Sequence, residues 1–151
     1  MRNDARRYGN GGGGQPPTEA LDVTKRHVRK QYHFRPSDAG LRAWDVDRLV
    51  RLTKHLQPQL VPLSEIREID EEYWGSMTCR QVAEHARLIN ECDLGFPIIL
   101  SRDGGVMDGM HRVLKALAQG ETHILAVRFT ADPEPDHVGV DPANLSYDEE
   151  T

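Results

Sequence analysis

The chain has 151 residues, with 19 Lys or Arg against 24 Asp or Glu, a formal net charge of -5 and a mean hydropathy of -0.61. That length allows one domain with a core of its own rather than two, and the acidic balance excludes the uniformly basic surface of a stand-alone nucleic-acid binder. No apolar run approaches the roughly 20 residues that a membrane-crossing helix needs, and the charged, glycine-rich start does not read as a signal peptide; a cytoplasmic protein is expected.

Charge is unevenly spread along the chain. Residues 1 to 35 hold eight Lys or Arg and three acids, whereas residues 131 to 151 hold seven acids and no Lys or Arg. Residues 1 to about 30 read as a flexible basic arm, because Gly9 to Pro17 offers too little apolar surface to offset the entropy of ordering. Its Lys25, Arg26, Arg29 and Lys30 form a solvated segment that could reach DNA phosphates. Residues 31 to 130 read as the folded domain and 131 to 151 as an acidic tail, laid on the surface or left free. Cys79 and Cys92, the only cysteines, lack zinc-site or disulfide-framework spacing.

Within the domain, Tyr32-His33-Phe34-Arg35 alternates like an edge strand before Pro36 stops pairing. Asp45 is the expected N-cap of a helix to about His55, with Val46, Leu49, Val50, Leu52 and Leu56 on its apolar side. Leu60 to Leu63 reads as a short strand, and Ser64-Glu65 as a single helical turn. Asp70 to Ser76 is a loop carrying Tyr73 and Trp74. Thr78 with Gln81 three places on is a capping box, opening a helix to about Glu91 with Val82, Ala86 and Ile89 on one face. Phe96 to Ser101 reads as a buried strand, and Asp103-Gly104-Gly105 as the turn to Val106-Met107-Asp108. A helix over 110 to 119 stops at Gly120, and a strand follows over 122 to 129. The order implies a small mixed α/β domain of the α+β kind.

The most informative residues are Asp108-Gly109-Met110-His111-Arg112, at the junction of a short strand and a helix. A helix N-terminus turns free backbone N–H groups and partial positive charge toward one point, which favours an anion such as phosphate. His111 and Arg112 add side-chain donors, and Asp108 supplies a carboxylate for a metal ion or a hydroxyl. The bland alternative is a tight connection in which Asp108 caps the helix and its neighbours are solvated. His85 reads first as a half-buried packing residue, and Tyr73 and Trp74 as a cover for the core.

With Pro62-Leu63-Ser64-Glu65-Ile66 and Phe96-Pro97-Ile98-Ile99-Leu100, this turn resembles the ParB/sulfiredoxin superfamily over about residues 58 to 130. The resemblance implies that the Asp-Gly-x-His-Arg turn cradles nucleotide phosphates. Sulfiredoxins carry a reactive cysteine where Met110 stands, so sulfinic acid reduction is not expected. ParB partition proteins place two arginines in the turn, bind CTP and continue into further domains; here His111-Arg112 is followed mainly by the acidic tail.

The free serine kinases of the superfamily are nearest, with Asp-Gly-His-His-Arg in the turn and a glutamate after the first core strand as general base. They imply a phosphotransferase or nucleoside triphosphatase using ATP, ADP or CTP with Mg²⁺. On that analogy Asp108 holds the metal, and Gly109, Met110, His111 and Arg112 hold the nucleotide. Glu65 is the base with Glu68 in reserve, Asp108 and His111 complete the catalytic set, and a small hydroxyl compound is the acceptor. Two alternatives stay open: a non-catalytic nucleotide-sensing or DNA-associated ParB-like module, and a ParB-like nuclease.

Overall fold

In a computed structural model the described residues are 30–148. Apart from Lys30, the basic arm lies outside them, as do the last acids, Glu149 and Glu150. The described residues form two small sheets and three α-helices, a mixed α/β domain of the expected class. None of these helices is long and apolar enough to cross a membrane.

The first strands, β1 (Tyr32–Arg35) and β2 (Arg42–Asp45), form an antiparallel hairpin. Its turn is closed by reciprocal Ser37 and Gly40 backbone bonds. Asp45 ends β2 and caps α1 (Val46–Thr53), its carboxylate accepting from the Asp47 N–H. β3 (Gln59–Pro62) leads through two 3-10 turns, Leu63–Glu65 and Arg67–Asp70, to α2 (Cys79–Glu91). Then come β4 (Ile98–Leu100), β5 (Val106–Asp108), α3 (Met110–Ala118), β6 (His123–Arg128) and β7 (His137–Val138).

The larger sheet has the order β3-β6-β4-β5, with β4 and β6 parallel and the other pairs antiparallel. Both its faces are covered, which is why Ile98-Ile99-Leu100 is an unbroken apolar run rather than an alternating one. Ile98, Leu100, Ile124 and Ala126 pack on α3 through Met110, Val113 and Ala116. On the opposite face Ile99, Met107 and Val127 pack with Trp44 and Leu49.

Two short strands escaped the sequence reading, β2 and β7, which pair with each other and with β1 in the smaller sheet. The described part of the acidic tail is thereby built into the fold. The Trp44 indole N–H donates to Pro133 O at 2.8 Å, and Asp136 accepts from the Asp45 N–H at 2.8 Å and from Arg48 at 3.1 Å. Leu145 is buried and the Tyr32 hydroxyl donates to Ser146 O. Several tail acids thus serve local donors, which composition alone does not reveal.

The capping box of α2 forms as expected, with Thr78 and Gln81 bonded reciprocally. Its inward face differs from expectation: Val82 is 47% exposed, and no residue of α2 is fully buried. This helix rests on α3 through a polar seam, where Lys115 Nζ donates to Asn90 O at 3.0 Å and Cys92 O at 2.6 Å. Cys79 and Cys92 are both free thiols.

Candidate functional site

The junction between β5 and α3 is shaped by a bulge and a glycine. Leu100 pairs with Val106, but Ile99 pairs with Asp108, so Met107 is an extra residue on β5. Such a bulge bends the strand and re-aims the side chains that follow. Gly109 then adopts φ 106°, and a Cβ there would come within 2.6 Å of Ile98 Cγ2. Only glycine fits both the left-handed backbone and the contact.

Gly109 is the N-cap of α3 and gives it no side-chain hydrogen bond. The Arg112 and Val113 N–H groups reach Gly109 O, while those of Met110 and His111 lead the helix without a capping side chain. The expected alternative, Asp108 as the cap, is not realised. Asp108 Oδ2 accepts instead from Arg112 Nη2 at 3.0 Å.

This terminus opens onto a hollow of about 380 Å³ lined by Asp108, Gly109, Met110 and His111 together with His33, Arg35, Glu68, Tyr73 and Trp74. That volume lies in the range of small-ligand sites. Of the two glutamates weighed from sequence, Glu68 lines the hollow; Glu65 is exposed on the first 3-10 turn and is not part of its wall. The buried Ile66 separates the two turns, and the second swings Glu68 inward, where its Oε1 accepts from the Val106 N–H at 2.6 Å. Across Gly105, the Arg35 guanidinium lies close enough that a Cβ would meet both Arg35 Nη2 and Glu68 Oε1, at 3.3 and 3.7 Å.

Three rings form one wall. Trp74 stacks on His111 at 4.9 Å between centroids and on His85 at 4.1 Å, and the imidazoles share a hydrogen bond of 2.7 Å from His85 Nδ1 to His111 Nε2. Tyr73 packs edge-on to Trp74, and its hydroxyl donates to Val106 O. His85 and Trp74 therefore contribute to the site, and the helical spacing of His85 could not disclose a partner on another helix.

The electrostatics correct a second expectation, that His111 and Arg112 form a pair of cations around the anion. Burial pushes His111 down to about 4, helped by His85 and Arg112, so its imidazole is neutral near pH 7. Arg112 is held by Asp108 and by Phe96 O at 3.3 Å, on the side of an adjoining hollow lined by Glu91, Cys92 and Phe96. The guanidinium facing the larger hollow belongs to Arg35, whose Nη2 donates to His33 Nε2 at 3.4 Å. His33 is likewise pushed down to about 4, mainly by burial. Burial raises Asp108 above the usual carboxylate range, and Arg112 opposes the rise.

The donor set does not fit a resident metal centre. Among the described residues no three His, Cys, Asp or Glu converge as a metal-binding group, and one Asp108 oxygen is engaged by Arg112. Magnesium commonly arrives with nucleotide phosphates and needs few protein ligands, so no step below is routed through it. Compared with known proteins, the chain matches no family model, no curated protein and no solved structure.

Proposed function

We propose that the chain binds a nucleotide by its phosphates at the N-terminus of α3 and transfers or hydrolyses the terminal phosphoryl group, as its likeness to the free serine kinases implies. The observation that carries the reading is an uncapped helix terminus opening into a hollow that also presents a guanidinium, a carboxylate and an indole. The leading N–H groups of Met110 and His111, with Arg35, take phosphate oxygens. Trp74, about a third exposed, offers a flat wall for the base.

Glu68 replaces Glu65 as the proton acceptor. Its Oε1 is fixed by the Val106 N–H, which leaves the other carboxylate oxygen to take the proton of an attacking hydroxyl or water. Asp108 is a positioning residue that secures Arg112 beneath the turn. ATP, ADP, CTP or GTP, added with and without Mg²⁺, should raise the melting temperature, since a ligand of the folded state stabilises it. Arg35→Ala should weaken that binding about tenfold. Glu68→Gln should leave it intact and slow turnover at least about a hundredfold, with free serine or water as acceptor. Binding without turnover would leave a nucleotide-sensing module; absence of binding by all four nucleotides would end the reading altogether.

A further inference from the structure

On the other side of the Asp108–Arg112 pair lies a separate hollow of about 450 Å³, between α1 and the start of β4. Its walls are Val50, Leu56, Phe96, Pro97, Ile99 and Val127. Ile99 and Val127 are buried floor residues, whereas Val50 is 45% and Phe96 62% exposed at the rim. A phenyl ring left so open costs free energy in water unless something covers it.

The charges at this hollow do not cancel. Asp108 is matched by Arg112. Lys54, the C-cap residue of α1, lines the same space and makes no ion pair among the described residues. An apolar cavity with one surplus ammonium is complementary to an apolar body bearing a single negative charge.

We infer that this hollow between α1 and β4 is a second binding site, for a small amphiphilic carboxylate whose apolar portion lies on Ile99, Val127 and Phe96 and whose carboxylate meets Lys54. The site is independent of the phosphate reading, because it uses none of the α3 N–H groups and none of the walls formed by Arg35, Glu68 and Trp74. Its size favours a chain or ring system of metabolite dimensions over a protein segment.

The test is calorimetric titration of the full chain with decanoate and, in parallel, with decan-1-ol. Decanoate should bind one saturable site about tenfold more tightly than the alcohol, the difference expected of a charge-assisted hydrogen bond. Lys54→Met should abolish that preference while leaving the alcohol's affinity unchanged. Val50→Trp, at an exposed position that tolerates bulk, should block both probes without lowering the melting temperature. Equal affinity for the two probes, or undiminished binding by Val50→Trp, would overturn the inference. So would sedimentation showing that a second copy of the chain occupies the groove and excludes decanoate.

Discussion

The two helices that meet at the candidate site are nearly opposite in how they are held. α3 buries Met110, Val113 and Ala116 against the larger sheet, whereas α2 buries no residue completely. Burial anchors α3 so firmly that its N-terminus can go without a side-chain cap. α2 depends on its ends and its seam: the Thr78 capping box, the Lys115 bonds to its last carbonyls, and the His85–His111 contact. A helix carried by apolar burial can present an unsatisfied terminus to a ligand; one held by polar contacts serves as an adjustable cover. The phosphate proposal needs that division of labour.

The largest effect should come from the turn that starts α3. Gly109→Ala meets both a left-handed backbone and the Ile98 side chain, and should lower unfolding stability by about 3 kcal/mol or more in chemical denaturation. Val113→Ala, within the buried face of α3, should cost roughly 2 kcal/mol in the same assay. On α2, loss of the cap in Thr78→Ala should cost about 1 kcal/mol. Val82→Ala should change stability by less than about 0.5 kcal/mol. A Val82→Ala loss comparable with that of Val113→Ala would erase the distinction between the helices.

Acid tests the seam itself. His33 and His111 lie near 4 in the folded chain, below their ordinary 6.5, so the unfolded chain binds more protons between those values. Stability is therefore full above about pH 6.5 and is lost as pH falls toward 4, at up to about 1.4 kcal/mol per pH unit for each histidine that stays neutral. The contribution of half-buried His111 is reduced by solvent screening. Denaturation at pH 7 and pH 5 should show the loss, and His33→Gln should flatten it; a protein equally stable at both would contradict the burial of these rings.

What could be read in the sequence was mostly local chemistry. Thr78 and Gln81, Asp45 before its helix, Gly109 and Gly120 around α3, and the apolar run of β4 each act within a few residues and were legible. The smaller sheet was not, because β7 is two residues long in a proline-rich acidic stretch, and its strand character comes from pairing with β2. The choice between Glu65 and Glu68 turns on a break between consecutive 3-10 turns, which no periodicity reports. The spacing of Asp108 and Arg112 announces an ion pair, yet only burial reveals that the pair holds Arg112 away from the larger hollow. Arg35 reaches that hollow through the crossing of β1 over the β5 turn, a long-range contact invisible along the chain.

The central claim is that the first N–H groups of α3 receive phosphate. Isotope-labelled protein titrated with ATP and Mg²⁺, and separately with CTP, reads those amides one by one in nitrogen–proton correlation spectra. The account predicts saturable shifts concentrated at Gly109, Met110 and His111 and at the Arg35 side chain, reduced when Arg35 is replaced by Ala. Unmoved amides at these positions while nucleotide saturates another part of the protein, or no saturable shift with either nucleotide, would contradict it.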